Sequence, residues 1–387
     1  MLPGADIDII RATGENSVDG TRQWLGKELV IKDVGEKPFM SNEGNIKLPY
    51  DYDMHDNDAE IPSAEPLKEA LVYCKDNILE AYRKYDSSAL LNQKYHRLLA
   101  VIASVCGTIA VLFAIMQLSG FFLTSWPMWV EIGAATIAFL AVMAGLIWSQ
   151  QAKWLLNRHK AERYRMLKFL SIIHPDLWMN NIGRWKDKFT HKIKEIEQMT
   201  PRLLRDWAEG DRLSEMPLLE KCVFDETTIR ALVDYYLDKR LEIQKTYFKS
   251  REMRNEKLDH YTRNLPYLLY FLSVMAVFWH FIVDIFSSHS HGMHSASVML
   301  IILAASFPVL AAGIRTLRST YEFARSAALF QAKYAALDRM FVTITDEIKQ
   351  LPINKETILT NLWQCEQFLK AEHREWLRLM MEADWFI

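Results

Sequence analysis

Cysteine is scarce and scattered in this sequence. Its four residues, Cys74, Cys106, Cys222 and Cys365, form no C-x-x-C pair and no ligand-spaced set, which argues against a cysteine zinc site and against a disulfide framework. They read as reduced, mostly buried thiols. The conventional catalytic signatures are missing as well: there is no nucleophile elbow, Walker loop, H-E-x-x-H pair or Rossmann fingerprint. The stretch TGENSVDG at 13–20 has two glycines but neither phosphate-loop spacing nor a following lysine, and it reads as a turn. The chain is therefore expected not to be an enzyme and to carry no catalytic residue, cofactor or resident metal. No charged segment followed by a short apolar run opens it, so a cleavable signal peptide is not expected. A formal net charge of −2 argues neither for nor against nucleic acid, and no nucleic-acid partner is expected.

Charge itself is missing from long stretches. No charged residue occurs from Leu98 to Val130, and after Glu131 none occurs until Lys153. A spanning helix needs roughly 20 apolar residues, so this block holds two, placed at 98–122 and 128–148 and broken around Gly120 and Pro127. A second block holds two more, at 265–283 and 298–314. The mean hydropathy of −0.07 looks soluble only because charged, helix-forming sequence fills the rest of the 387 residues.

Lysine and arginine are absent from both turns, 119–130 and 284–297, yet crowd the other ends of the spans. Lys94 and Arg97 precede the first pair, and Lys153, Arg158, Lys160, Arg163 and Arg165 follow it. Lys249, Arg251, Arg254, Lys257 and Arg263 precede the second pair, and Arg315, Arg318 and Arg325 follow it. By the positive-inside rule both turns face outward, and both termini and the central segment are cytoplasmic.

What is present fills in an all-α integral membrane protein: four transmembrane helices as two hairpins, long amphipathic cytoplasmic helices, and a short irregular or β-like N-terminal arm. Leu67, Leu71, Cys74, Ile78, Tyr82, Tyr85 and Ala89 step by three or four residues on a helix expected to run into the first span. Ile358, Leu362, Cys365 and Leu369 repeat the pattern, Trp376 and Met380 extend it, and Asn354 is a candidate N-cap. The chain divides into an arm at 1–65, a first hairpin unit at 66–173, linker helices at 174–227 punctuated by Pro175, Pro201 and Pro217, and a second hairpin unit at 228–387. The arm carries β-like runs at 7–10 and 28–34 and an acidic stretch of Asp51, Asp53, Asp56, Asp58 and Glu60; it is too short for an independent sensor domain. ALVYCKDNILEAYRKY before the first hairpin aligns with ALVDYYLDKRLEIQKTY before the second, through duplication or through the ease with which amphipathic helices align. A duplication would be parallel, unlike the inverted repeats of many secondary transporters.

Three sets of residues are candidates for function. Ala100, Ala103, Gly107, Ala110 and Ala114 line one face of the first span, and Ala134, Ala138, Ala141 and Gly145 one face of the second. Such stripes let helix backbones approach in lipid, with packing inside a hairpin preferred over a subunit interface around a pore. Glu131, His280 and Asp284 lie near the outer ends of spans and are the pore or gating candidates. The stretch SSHSHGMHSAS at 287–297 holds His289, His291 and His294. These could converge on one zinc ion with His280 and Asp284, but an outward turn is the preferred reading.

With this topology, HKAERYRMLKFL at 159–170 and NLWQCEQFLKAEHREWLRLMMEADWF at 361–386 resemble segments of the SLATT family, bacterial SMODS and SLOG-associating two-transmembrane effectors. The resemblance covers about 65–175 and 228–387. It implies a homo-oligomer in the bacterial inner membrane that answers a nucleotide second messenger or a cytoplasmic sensor protein by disrupting the bilayer or opening a pore in antiviral defence. The chain departs from the family in having four spans and no recognisable SMODS or SLOG sensor. The expected function is thus a non-enzymatic membrane effector or channel-like protein. A small ion or metal transporter and a membrane scaffold without permeation are the alternatives.

Overall fold

The computed structural model describes residues 53–54, 62, 64–119, 124–148, 150–179, 181–210, 225–286, 291–350 and 352–382. The β-like runs at 7–10 and 28–34, the turn at 13–20, Cys222 and His289 lie outside these residues. Among the described residues the structure is almost wholly helical. In chain order the helices are α1 (Leu67–Asn77), α2 (Leu79–Leu118), α3 (Trp126–Trp148), α4 (Gln150–Ile173), α5 (Pro175–Trp178), α6 (Ile182–Glu197) and α7 (Pro201–Glu209). Then come α8 (Glu226–Tyr236), a π-helical turn (Leu237–Glu242), α9 (Ile243–Phe286), α10 (His291–Tyr321), α11 (Phe323–Glu347) and α12 (Lys355–Glu382).

The ends of the shorter helices follow from local chemistry. Thr200 and His174 accept from the backbone at the starts of α7 and α5, each followed by a proline at the first helical position, where a missing N–H costs nothing. Asn181 and Asp225 cap α6 and α8 in the same way. Asn354 accepts from the Thr357 amide at 3.1 Å at the start of α12, the position expected of it. Each such cap satisfies a backbone donor otherwise left without a partner and contributes about 1 kcal/mol. Glu322 adopts φ 43° between α10 and α11, a left-handed residue that separates two otherwise consecutive helices.

Four helices are long and apolar enough to cross a membrane, so the protein is a multi-pass membrane protein. α2 runs from charged sequence at Leu79 into the first apolar run, as expected, but a turn at Ile78 separates it from α1, so the helix from Leu67 is not continuous; α3 takes Pro127 into its first turn. Within the expected turn at 284–297, helix is described up to Phe286 and again from His291.

The described residues form two compact units, each assembled from separated segments. One takes in those of Met1–Leu91, Ala152–Arg254 and Arg325–Glu382; the other takes in those of Asn92–Gln151 and Asn255–Ala324. The first is a charged helical unit around an apolar core that includes Leu67, Leu71, Ile78, Phe169, Trp178, Trp185, Leu337 and Leu362. Two of its buried indoles are satisfied: Trp178 donates to the Ile172 carbonyl and Trp185 to the Ser171 carbonyl, each at 3.0 Å. A fully buried large side chain stabilises by roughly 1.5–3 kcal/mol, provided that its polar atom is bonded.

The second unit reverses that pattern. Phe139, Leu140, Ile147, Phe271, Val274 and Phe281 are exposed, whereas Ala110, Ala134, Ala141 and Ala311 are buried. Large apolar side chains outside and small ones inside suit a hydrocarbon solvent, where packing rather than burial drives helix association. Ser273 donates to the Ala304 carbonyl at 2.7 Å between α9 and α10, and Arg318 binds Asp259 at 2.8 Å toward their charged ends.

Candidate functional site

Of the membrane candidates, Glu131 has a defined partner. Gln117 near the end of α2 donates to its carboxylate at 2.7 Å, so the acid is held by an amide that sequence reading passed over. His280 is bonded through Nδ1 to the Ser297 hydroxyl at 2.9 Å, which occupies a nitrogen that a metal would use. His291 and His294 fall in the first turn of α10, and only their backbone is described. Among the described residues no group of three or more histidine, cysteine, aspartate or glutamate side chains is placed to hold a metal ion.

The small-residue stripe is not uniform along the first span. Ala100 and Ala110 are buried, but a Cβ added at Gly107 would meet nothing within 4 Å. Among the described residues the stripe is therefore buried at Ala100 and Ala110 and leaves room for a side chain at Gly107. The close approach is at Gly313 on α10, where an added Cβ would lie 2.7 Å from Thr108 Oγ1. Thr108 is itself held, donating to the Ser104 carbonyl at 2.8 Å. Gly313 lay at the edge of the expected fourth span and carried no periodic signal.

The most elaborate chemistry lies in the charged helical unit. The π-helical turn buries Lys239 and Arg240, and such turns re-aim side chains by one position. Arg240 Nε reaches Glu366 on α12 at 2.8 Å, and its Nη2 reaches the other oxygen of the same carboxylate at 3.0 Å. Tyr236 donates to that carboxylate at 2.8 Å. Arg240 also faces Asp53 at 3.7 Å, and Arg165 binds Asp53 at 3.1 Å. Arg165 further contacts Glu162 at 2.9 Å and the Tyr82 hydroxyl at 2.5 Å, while Arg158 pairs with Glu162 and, at 2.9 Å, with Asp86. Burial pushes the Glu162 carboxyl up, but Arg158 and Arg165 outweigh it and hold it at about 2. The Asp53 carbonyl also accepts from Lys168 at 2.7 Å. One acid of the expected acidic stretch is thus buried in the core rather than solvated.

Beside this network two histidines share one hydrogen bond. His159 Nδ1 on α4 lies 3.1 Å from His373 Nε2 on α12, with the rings stacked at 5.3 Å. Trp207 on α7 lies 4.4 Å from the His159 ring. Burial keeps both imidazoles neutral: it holds His373 at about 3 although Glu162 acts in the opposite sense, and His373 and then Arg163 add to it at His159. Periodicity missed these groups because HKAERYRMLKFL looks like a solvated basic face until α12 covers it. The arrangement offers fixed charge and neutral imidazoles. In comparisons with protein-family models, with curated proteins and with solved structures, the chain matches none.

Proposed function

We propose that this chain is a non-enzymatic, homo-oligomeric membrane effector of channel type. In this reading it sits in a bacterial inner membrane as two hairpins, with both termini and the charged amphipathic helices in the cytoplasm and the N-terminal arm regulating them. A nucleotide second messenger or a sensor protein acts on those helices, and the spans then perturb or permeabilise the bilayer in antiviral defence.

Helix continuity carries the reading. α2 and α9 each begin among residues of the charged unit and end among residues of the apolar one. A helix bends sharply only where its hydrogen-bond ladder is interrupted, so a displacement at the charged end is carried along it toward the span. Pro266 within α9 and Pro308 within α10 each remove one backbone donor and mark the weak points of their ladders. Support also comes from Gly107, whose open surface is available to a second copy, and from the two turns without lysine or arginine.

The polar pair Glu131 and Gln117 favours one alternative, a small ion or metal transporter with Glu131 on its path. Ion flux from vesicles reconstituted with the purified chain, and membrane potential in cells expressing it, separate the two. The effector depolarises cells when activated and is toxic. Normal potential and growth at normal protein levels, together with saturable uptake that Glu131→Gln abolishes, would reject the effector and install the transporter.

A further inference from the structure

The N-terminal arm enters the charged helical unit through two described residues. Asp53 is fully buried, and Met54, 4% exposed, belongs to the apolar core. The Asp53 carbonyl accepts from Lys168 on α4 at 2.7 Å. One carboxylate oxygen, Oδ2, lies 3.1 Å from Arg165 Nε on α4 and 3.7 Å from Arg240 Nη1 in the π-helical turn. Arg240 also lies over the Phe169 ring, 4.6 Å from its centre and one turn along α4 from Arg165. Asp53 is thus inserted at a seam between α4 and the turn that leads into α9.

What sets Asp53 apart is how poorly its carboxylate is satisfied. Glu366 accepts three hydrogen bonds, from Tyr236 and from two nitrogens of Arg240. Neither carboxylate oxygen of Asp53 accepts one among the described residues. A buried carboxylate held by charge alone has given up its hydration and regains it by returning to water. Withdrawal strands neither guanidinium: Arg165 keeps Glu162 and the Tyr82 hydroxyl, and Arg240 keeps Glu366. It does remove the oxygen that the two share, which leaves like charges facing each other across the seam. Burial of Met54 and the bond from Lys168 hold the arm in, while hydration of Asp53 draws it out, and such opposition suits a two-state element.

We propose that Asp53 and Met54 form a releasable latch, which pins α4 to the π-helical turn when inserted and loosens that seam when withdrawn. The latch rests on the effector reading only for what its release accomplishes at the spans; release is measured without conductance, so either can fail alone.

The test uses methionine oxidation in the full chain, purified into phosphatidylcholine nanodiscs and exposed to dilute hydrogen peroxide, with sulfoxide followed by mass spectrometry. Peroxide must reach the sulfur, so the rate reports opening at buried positions. Met54 and Met166 on α4 are equally buried, each 4% exposed, and a fixed structure would oxidise them alike. A latch makes Met54 react at least about tenfold faster than Met166. Asp53→Lys sets a third cation against Arg165 and Arg240 and should hold the arm out. It should bring Met54 to the rate of the exposed Met253 on α9, leave Met166 protected, and raise amide exchange in the turn at Leu237–Glu242. Equal rates at Met54 and Met166 in the wild type overturn the latch, and so does a parallel rise at both in Asp53→Lys, which would make the pair a fixed part of the core. The wild-type comparison needs no variant, so it decides even if Asp53→Lys does not fold. Release of the arm with no change in ion flux would count against the channel reading and leave the latch standing.

Discussion

Arg240 and Glu366 illustrate how the charged unit trades stability for definition. Both are buried, and the bidentate contact with an added tyrosine hydroxyl satisfies the carboxylate almost completely. Removing one partner leaves a buried charge, which costs roughly 3–5 kcal/mol, whereas replacing both by apolar groups is often neutral. Arg240→Met should therefore lower the stability of the chain by that amount, and Arg240→Met with Glu366→Met should recover a large part of it. Thermal unfolding of the full chain in detergent checks this, and simple additivity of the two losses would refute it. The paired histidines set a second test. Their folded pKa values are depressed, so the neutral native form is favoured fully above the ordinary value of 6.5, and that stability is lost as pH falls from there toward about 3. His373→Asn should flatten the pH dependence of unfolding in that window. An unchanged profile would show that His373 is not the titrating group. Glu162 adds a loss of the same sign between its ordinary value of 4.5 and about 2, so the histidine contribution is read above pH 4.5, before the two windows overlap.

At the scale of elements, Gly313 and Gly107 make opposite predictions. Alanine at Gly313 must displace Thr108, whose hydroxyl is tied to the Ser104 carbonyl; overpacking of this kind costs roughly 1–3 kcal/mol. Thr108→Ala should rescue Gly313→Ala. Alanine at Gly107 meets open space and gains up to about 1 kcal/mol of helix propensity. Gly107→Leu should thus leave the unfolding temperature of the monomer unharmed while weakening assembly and toxicity. Sedimentation in detergent alongside thermal unfolding distinguishes the two sites. A Gly107→Leu protein that assembles like the wild type would remove the stripe from any account of oligomerisation.

For the whole molecule, orientation is the testable quantity. Ser125 sits exposed before α3 and His191 exposed on α6. In a background whose native cysteines are replaced, Ser125→Cys should react with an impermeant thiol reagent added to intact cells and His191→Cys should not. Labelling of position 191 from outside would invert the assignment and with it the cytoplasmic origin of the signal.

The sequence by itself determined the all-helical membrane class and the existence of four spans, because an uncharged run of spanning length has one low-energy solution in lipid. It also marked the Asn354 cap and the apolar positions from Leu67 to Ala89, which are local or periodic signals. The span limits were less legible, since α2 and α9 cross from charged to apolar sequence with no break in the helix. Only the tertiary structure decided which charges are buried together. Asp53, Arg165, Arg240 and Glu366 come from four distant parts of the chain, and each taken alone reads as an ordinary solvated residue. It also decided that Gly313 and not Gly107 meets a neighbour within the chain. Periodicity gives the face of a helix on which a residue lies, but which element covers that face depends on how separated segments pack, and no local property of the sequence encodes that choice.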